Sequence, residues 1–176
     1  MSLLADERKM RSQHESQVVS AVIQNYRMAG EYLIATSTKI FSPIAKGEVI
    51  PWDNIRFLQL SPCGSCFESA YNVTKETYDD WVTSNHQSSL LTPLLISDQL
   101  TFISEQQCQE LCDNDDYRWS VFYWLTRPGF SVDFSQALIQ IYAHCPAGPP
   151  QYGSIVYLER MKDLWEVKSY FGLYNQ

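Results

Sequence analysis

The stretch Gln136-Ala137-Leu138-Ile139-Gln140-Ile141-Tyr142-Ala143-His144-Cys145 decides the fold. Side chains alternate along a strand, so Ala137, Ile139, Ile141, Ala143 and Cys145 share one face, and Gln136, Leu138, Gln140, Tyr142 and His144 share the other. Residues 154–160 and 164–173 repeat this kind of pattern between turn signals. From Trp119 to Phe171 the chain therefore reads as continuous antiparallel β-structure. Pro146-Ala147-Gly148-Pro149-Pro150 is expected to form a long hairpin loop and Met161-Lys162-Asp163 a tight one. In the last strand, Trp165, Val167, Phe171 and Leu173 are expected to continue the core face.

Outward from this sheet the pattern changes period. Val18, Val19, Val22, Ile23 and Tyr26 form one apolar stripe and predict a helix over residues 6–28, with Gly30 as its stop. A strand is expected over 32–40 and a short one over 56–60. Thr74 suits the N-cap of a helix running through Trp81, with Glu76, Asp79 and Asp80 in its early turns. Residues 83–89 read as a polar loop and 100–103 as a strand. Ser104, Glu105 and Gln107 then form a capping-box pattern on a helix through Leu111. Helices on one side of the sheet would bury it. The expectation is one α+β domain over residues 1–176, its C-terminal antiparallel sheet packed against N-terminal and central helices.

Composition supports an ordered core. Apolar residues make up 45% of the 176, with 5 Trp, 11 Tyr and 8 Phe, and a domain of this size hides about 70% of its unfolded surface. The formal charge is −7. Basic residues cluster only at Arg8-Lys9 and Arg11, so nucleic acid and anionic membrane are not expected partners. No apolar run approaches the roughly 20 residues that cross a bilayer. Met1-Ser2-Leu3-Leu4 leads into Asp6-Glu7-Arg8-Lys9, which is not a secretory signal; residues 1–5 read as a flexible or vector-derived start. As it stands the chain is expected in the cytoplasm, and outside it if a native leader was trimmed.

Thr126-Arg127-Pro128-Gly129-Phe130-Ser131, Gln136-Ala137-Leu138-Ile139, residues 153–159 and Trp165-Glu166-Val167 together resemble a signature of uncharacterised bacterial proteins. In that family "SRxGF", "QALVYV", "YxLLEK" and "W+V" strands succeed one another. Asp80-Trp81 with Asn85, and Trp119 with Phe122-Tyr123, fit the same pattern, so the resemblance covers about residues 32–171. Two departures are Leu164, where the family has Gly, and a shortened segment between Tyr123 and Thr126. The resemblance implies the α+β fold and no activity; many such proteins look exported.

Cysteines supply the candidate chemistry. Cys63-Gly64-Ser65-Cys66 is a CxxC turn, and Cys108 and Cys112 share one helix face. Four thiolates so paired suit a tetrahedral structural zinc. Alternatively, Cys63 or Cys66 pairs with Cys108 or Cys112 in a disulfide, which implies an oxidising compartment. A third reading makes the CGSC pair a thiol-redox site, although residues 67–73 make a poor helix for one. Cys145 reads as a buried apolar residue.

His14 reads as solvated and His86 as a loop residue. His144 and Cys145 point to opposite strand faces and form no dyad. Tyr142 and His144 together mark a candidate ligand face. Asp113-Asn114-Asp115-Asp116 lacks the Gly and distant Glu of a calcium loop, and Asp115 or Asp116 is expected to cap the next element. Trp119, Phe122, Tyr123, Trp124 and Phe130 read as core. No phosphate loop, GxSxG or HExxH motif occurs, and no nucleophile–base pair is evident. The sequence thus ranks a non-enzymatic binding or structural module first, with a small molecule or protein as partner. A zinc-stabilised variant ranks second and a thiol-redox protein third.

Overall fold

A computed structural model of the chain describes residues 3–40, 50–55, 57–58, 71–91 and 100–175. In chain order the elements are α1 (Leu3–Asn25), β1 (Tyr32–Ile34), α2 (Trp52–Ile55), β2 (Phe57–Leu58), β3 (Tyr71–Asn72) and α3 (Lys75–Ser84). They continue with β4 (Thr101–Ile103), α4 (Glu105–Cys112), a 3₁₀ turn (Asp115–Tyr117), β5 (Phe122–Leu125), β6 (Gly129–Phe130), β7 (Gln136–Cys145), β8 (Gly148–Met161) and β9 (Leu164–Asn175).

Strand β7 is the spine. It pairs antiparallel with β8 along one side, and with β5 and β6 in succession along the other. The main sheet runs β4-β1-β5-β7-β8-β9, and β2 and β3 pair separately. The C-terminal strands are antiparallel as the alternation predicts. β1, however, lies parallel to both β4 and β5, so the whole sheet is mixed. The first strand is also shorter than its β-propensity suggests, continuing only as a bridge between Thr36 and Leu90.

Helices cover both faces, not one. Val18, Val19, Val22, Ile23 and Met28 pack with Ile139, Ile141, Val156, Leu158 and Trp165. Their strand neighbours Leu138, Ile155 and Tyr157 point the other way and pack with Trp81, Ile50, Ile55 and Val73. A third cluster on the β1–β4–β5 side joins Ile34, Ile103 and Phe122 to Cys108 of α4. The near-continuous apolar reading of β7, with buried residues at 137–141, is what a strand covered on both faces requires.

The last strand departs from simple alternation. Tyr157 pairs with Ser169 but Leu158 pairs with Val167, which leaves Lys168 as an extra residue. A bulge of this kind reverses which face the later side chains take. Trp165 and Val167 therefore pack with α1, while Phe171 and Leu173 pack with the Trp81 cluster. Both terminal hairpins turn in two residues, Pro146-Ala147 and Lys162-Asp163, so the proline-rich segment begins β8 instead of forming a long loop.

Four helix ends show local chemistry. Thr74 caps α3 through the Thr77 N–H, and Ser104 with Gln107 forms the expected capping box on α4. Asn114, not the aspartates, caps the 3₁₀ turn. Helix α1 ends before Gly30: Met28 N–H donates to Ile23 O and Arg27 N–H to Gln24 O, with Arg27 at φ 53°. This is a Schellman ending, and the left-handed position is filled by an exposed arginine. A side chain there costs about 1 kcal/mol relative to glycine. Arg27→Gly should raise stability by about that amount in urea unfolding, and an unchanged or lower midpoint would contradict this account.

Candidate functional site at the β5–β6 corner

The chain from Thr126 to Phe130 turns the corner from β5 into β6, and nearly every residue of it is tied to a helix. The Trp81 indole N–H donates to Thr126 Oγ1 at 3.0 Å, and the same oxygen accepts the Gln140 N–H at 2.8 Å. Asn85, just past the end of α3, receives the Arg127 N–H at 2.7 Å and donates to Arg127 O and Trp81 O at 2.9 and 2.8 Å. Its side chain thus pairs with a peptide unit as a neighbouring strand would. At the other end of α3, Gln136 Oε1 accepts the Thr74 N–H at 2.9 Å. Gly129 completes the fit, because a Cβ built there would lie 2.2 Å from the Trp81 backbone N and Cα.

An ionic clasp spans this corner. Asp80 of α3 receives both terminal nitrogens of Arg11 at 3.1 and 2.9 Å and the Phe130 N–H at 2.7 Å. Arg11 Nε donates to Glu15 at 3.1 Å, one turn along α1. The other Glu15 oxygen accepts from Arg127, which also donates to Ser89 Oγ at 3.0 Å. Glu15 is only 1% exposed, and a carboxylate at that depth requires such partners. Burial disfavours the charged form of Arg11, but Asp80 and Glu15 outweigh it and raise the guanidinium pKa.

Above the clasp opens a cleft of about 420 Å³, lined by Arg11, Glu15, Arg127, the last two residues of α3, Thr83 and Ser84, and the loop residues His86, Gln87, Ser88 and Ser89. His86 was expected in a polar loop and lies there. His14, expected in solvent, instead lies beneath α1 at 6% exposure. Its ring stacks on Phe134 at 4.7 Å and meets Trp165 edge-on at 5.9 Å. The Trp165 indole donates to His14 Nδ1 at 3.3 Å.

The other candidate residues fall elsewhere. Cys63 and Cys66 lie outside the described residues. Cys108 and Cys112 come together with sulfurs 3.9 Å apart, nearly twice the disulfide length of about 2.05 Å, and both are free thiols. Burial, reinforced by Cys112, pushes the Cys108 thiol up to about 12; burial likewise raises Cys112. Cys145 is buried, its sulfur 3.5 Å from Arg118 O. Among the described residues, no group of three or more His, Cys, Asp or Glu side chains could hold a metal ion. Tyr142 packs beside Trp124 at 5.1 Å, and His144 is paired in register with Phe122; neither lines the cleft. Trp119, expected in the core, is 66% exposed with Arg118 over its ring.

The sequence signals for the cleft were partial. Arg127, Asp80 and Asn85 stand in the segments that resemble the bacterial signature, but nothing in the sequence marks their partners. Glu15 sits three, four and seven residues before Val18, Val19 and Val22, a charge on the apolar stripe of α1. A charged residue at core spacing is the signal that points to it. No protein-family model, curated protein or solved structure matches the chain. No described helix is long and apolar enough to cross a membrane.

This geometry sets two expected outcomes. Gly129→Ala should destabilise the protein by about 3 kcal/mol, since the methyl group meets backbone that cannot rotate away; a normal denaturation midpoint would show that α3 can lift off freely. The second concerns His14. Burial, with a smaller contribution from Arg160, lowers its pKa from 6.5, and Gln17 offsets only part of this. The folded protein then binds fewer protons than the unfolded chain. The stability held by neutral His14 is complete above pH 6.5 and declines as pH falls from there through the folded value. His14→Gln keeps an acceptor for Trp165 but does not titrate, so its urea midpoint should fall less between pH 7 and 5. Equal slopes in the two proteins would remove His14 from this account.

Proposed function

We propose that the protein is a non-enzymatic binding module whose ligand seats in the corner cleft. The carrying observation is a cleft of about 420 Å³ whose two arginines are held by hydrogen bonds to Asp80, Glu15, Ser84 and Ser89. That volume lies within the range of small-molecule sites, and walls held in advance reduce the entropy lost on binding. The acidic chain and the lack of a basic stripe favour a small molecule or a protein over nucleic acid. The meeting of Asp80, Trp81, Asn85, Thr126, Gly129 and Gln136 supports kinship with the bacterial family whose signature contains them.

A structural zinc site is a second reading, favoured by the 3.9 Å between Cys108 and Cys112 sulfurs. Two thiolates on one tetrahedral zinc lie about 3.8 Å apart at the usual Zn–S length. Cys63 and Cys66 would supply the other ligands, and zinc would displace the thiol protons that burial retains.

The cleft reading is tested by titrating ¹⁵N-labelled protein with a mixture of small polar fragments. Amide shifts are expected to concentrate on residues 83–89 and Arg127. Shifts confined to Tyr142, His144 and their neighbours, or no shifts at all, would sink it.

A further inference from the structure

We infer that the group the cleft receives is a small oxyanion, a carboxylate or phosphate, bound through the guanidinium of Arg127. The inference rests on the cleft being the binding site and adds the chemistry of what fills it. Among the lining residues, two arginines face one carboxylate. Asp80, which balances Arg11, is not part of the lining and bonds to the Phe130 backbone. The lone lining carboxylate, Glu15, is 1% exposed with one oxygen engaged by each arginine. A cation entering the cleft therefore finds no open carboxylate oxygen there.

Donors, by contrast, are in surplus. Of the five N–H groups on a guanidinium, Arg127 uses one on Glu15 and one on Ser89. Its side chain is 25% exposed, so it is held by a buried partner while keeping an edge for a ligand. Ser84 Oγ accepts from Arg11 at 2.8 Å and Ser89 Oγ from Arg127 at 3.0 Å. A hydroxyl whose oxygen is so occupied still has its proton to donate. Ser89 lies 3.4 Å from Ser37 Oγ and can share its proton there, whereas Ser84, on the cleft wall, has a hydroxyl proton that a ligand can take up. Fixed N–H and O–H donors around a planar guanidinium match the acceptor oxygens of a carboxylate or phosphate.

The test uses the intact protein and four probes at constant ionic strength: sodium acetate, inorganic phosphate, and the uncharged acetamide and glycerol. Shifts of the Arg127 Nε–H and of residues 83–89 are followed by NMR. Acetate or phosphate should move these signals in a saturable way while acetamide and glycerol leave them unmoved. The tighter of the two anions identifies a carboxylate or a phosphate ligand. Arg127→Lys keeps the charge beside Glu15 but loses the fork, and should weaken the anion about tenfold, the worth of one charge-assisted hydrogen bond. The comparison of charged with neutral probes on the unaltered protein stands even if the variant folds poorly. Silence from both anions overturns the inference. Saturable binding of acetamide or glycerol alone also overturns it, while leaving the cleft as a binding site.

Discussion

The contact between Gly129 and the backbone of Trp81 is the constraint on which the arrangement depends. A helix and a strand this close leave no room for a side chain between them. The approach lets Trp81 reach Thr126, Asn85 reach the Arg127 peptide and Asp80 reach the Phe130 N–H. Each bond contributes about 1 kcal/mol net, yet together they determine where α3 lies along its whole length. Gln136 at one end and Asn85 at the other leave the helix no freedom to slide.

The ionic clasp has a different role from the apolar clusters. Burying Glu15 has a desolvation cost that its two arginines roughly offset, and such pairs contribute little net stability compared with apolar packing. Removing one partner is another matter, since it strands a charge in the interior. The clasp therefore fixes geometry more than it adds stability. It joins α1, which covers one sheet face, to α3, which covers the other, around the short strand β6. The cleft opens where these two layers meet, and its polar character stems from that junction.

How far the sequence could be read depends on whether each signal is local. Alternation in β7, the Thr74 cap and the Ser104–Gln107 box are decided by neighbours in the chain, and these were legible. The bulge at Lys168 was not, because an extra residue in one strand is defined only by its pairing with another. His14 reads as solvated from its neighbours, but its burial depends on Trp165, and that of Glu15 on Arg127, both far along the chain. Arg27 likewise displaced the expected glycine stop, because helix ending was set by where Met28 had to be buried. The cleft was the least legible part, since its walls come from three separated segments.

The order of the sheet also bears on how the chain is made. α1 is synthesised well before β7, β8 and β9, yet the surface it covers is built largely from those three strands. β1 must also wait for β4 and β5 before it has neighbours on either side. The terminal meander closes through short turns and can form on its own schedule, whereas the first helix makes mainly distant contacts. During translation an apolar stripe containing Val18, Val19 and Val22 thus leaves the ribosome long before its partner surface exists. The stripe stays uncovered until β7, β8 and β9 have been made, so assembly requires an early segment to dock onto strands that come much later in the chain.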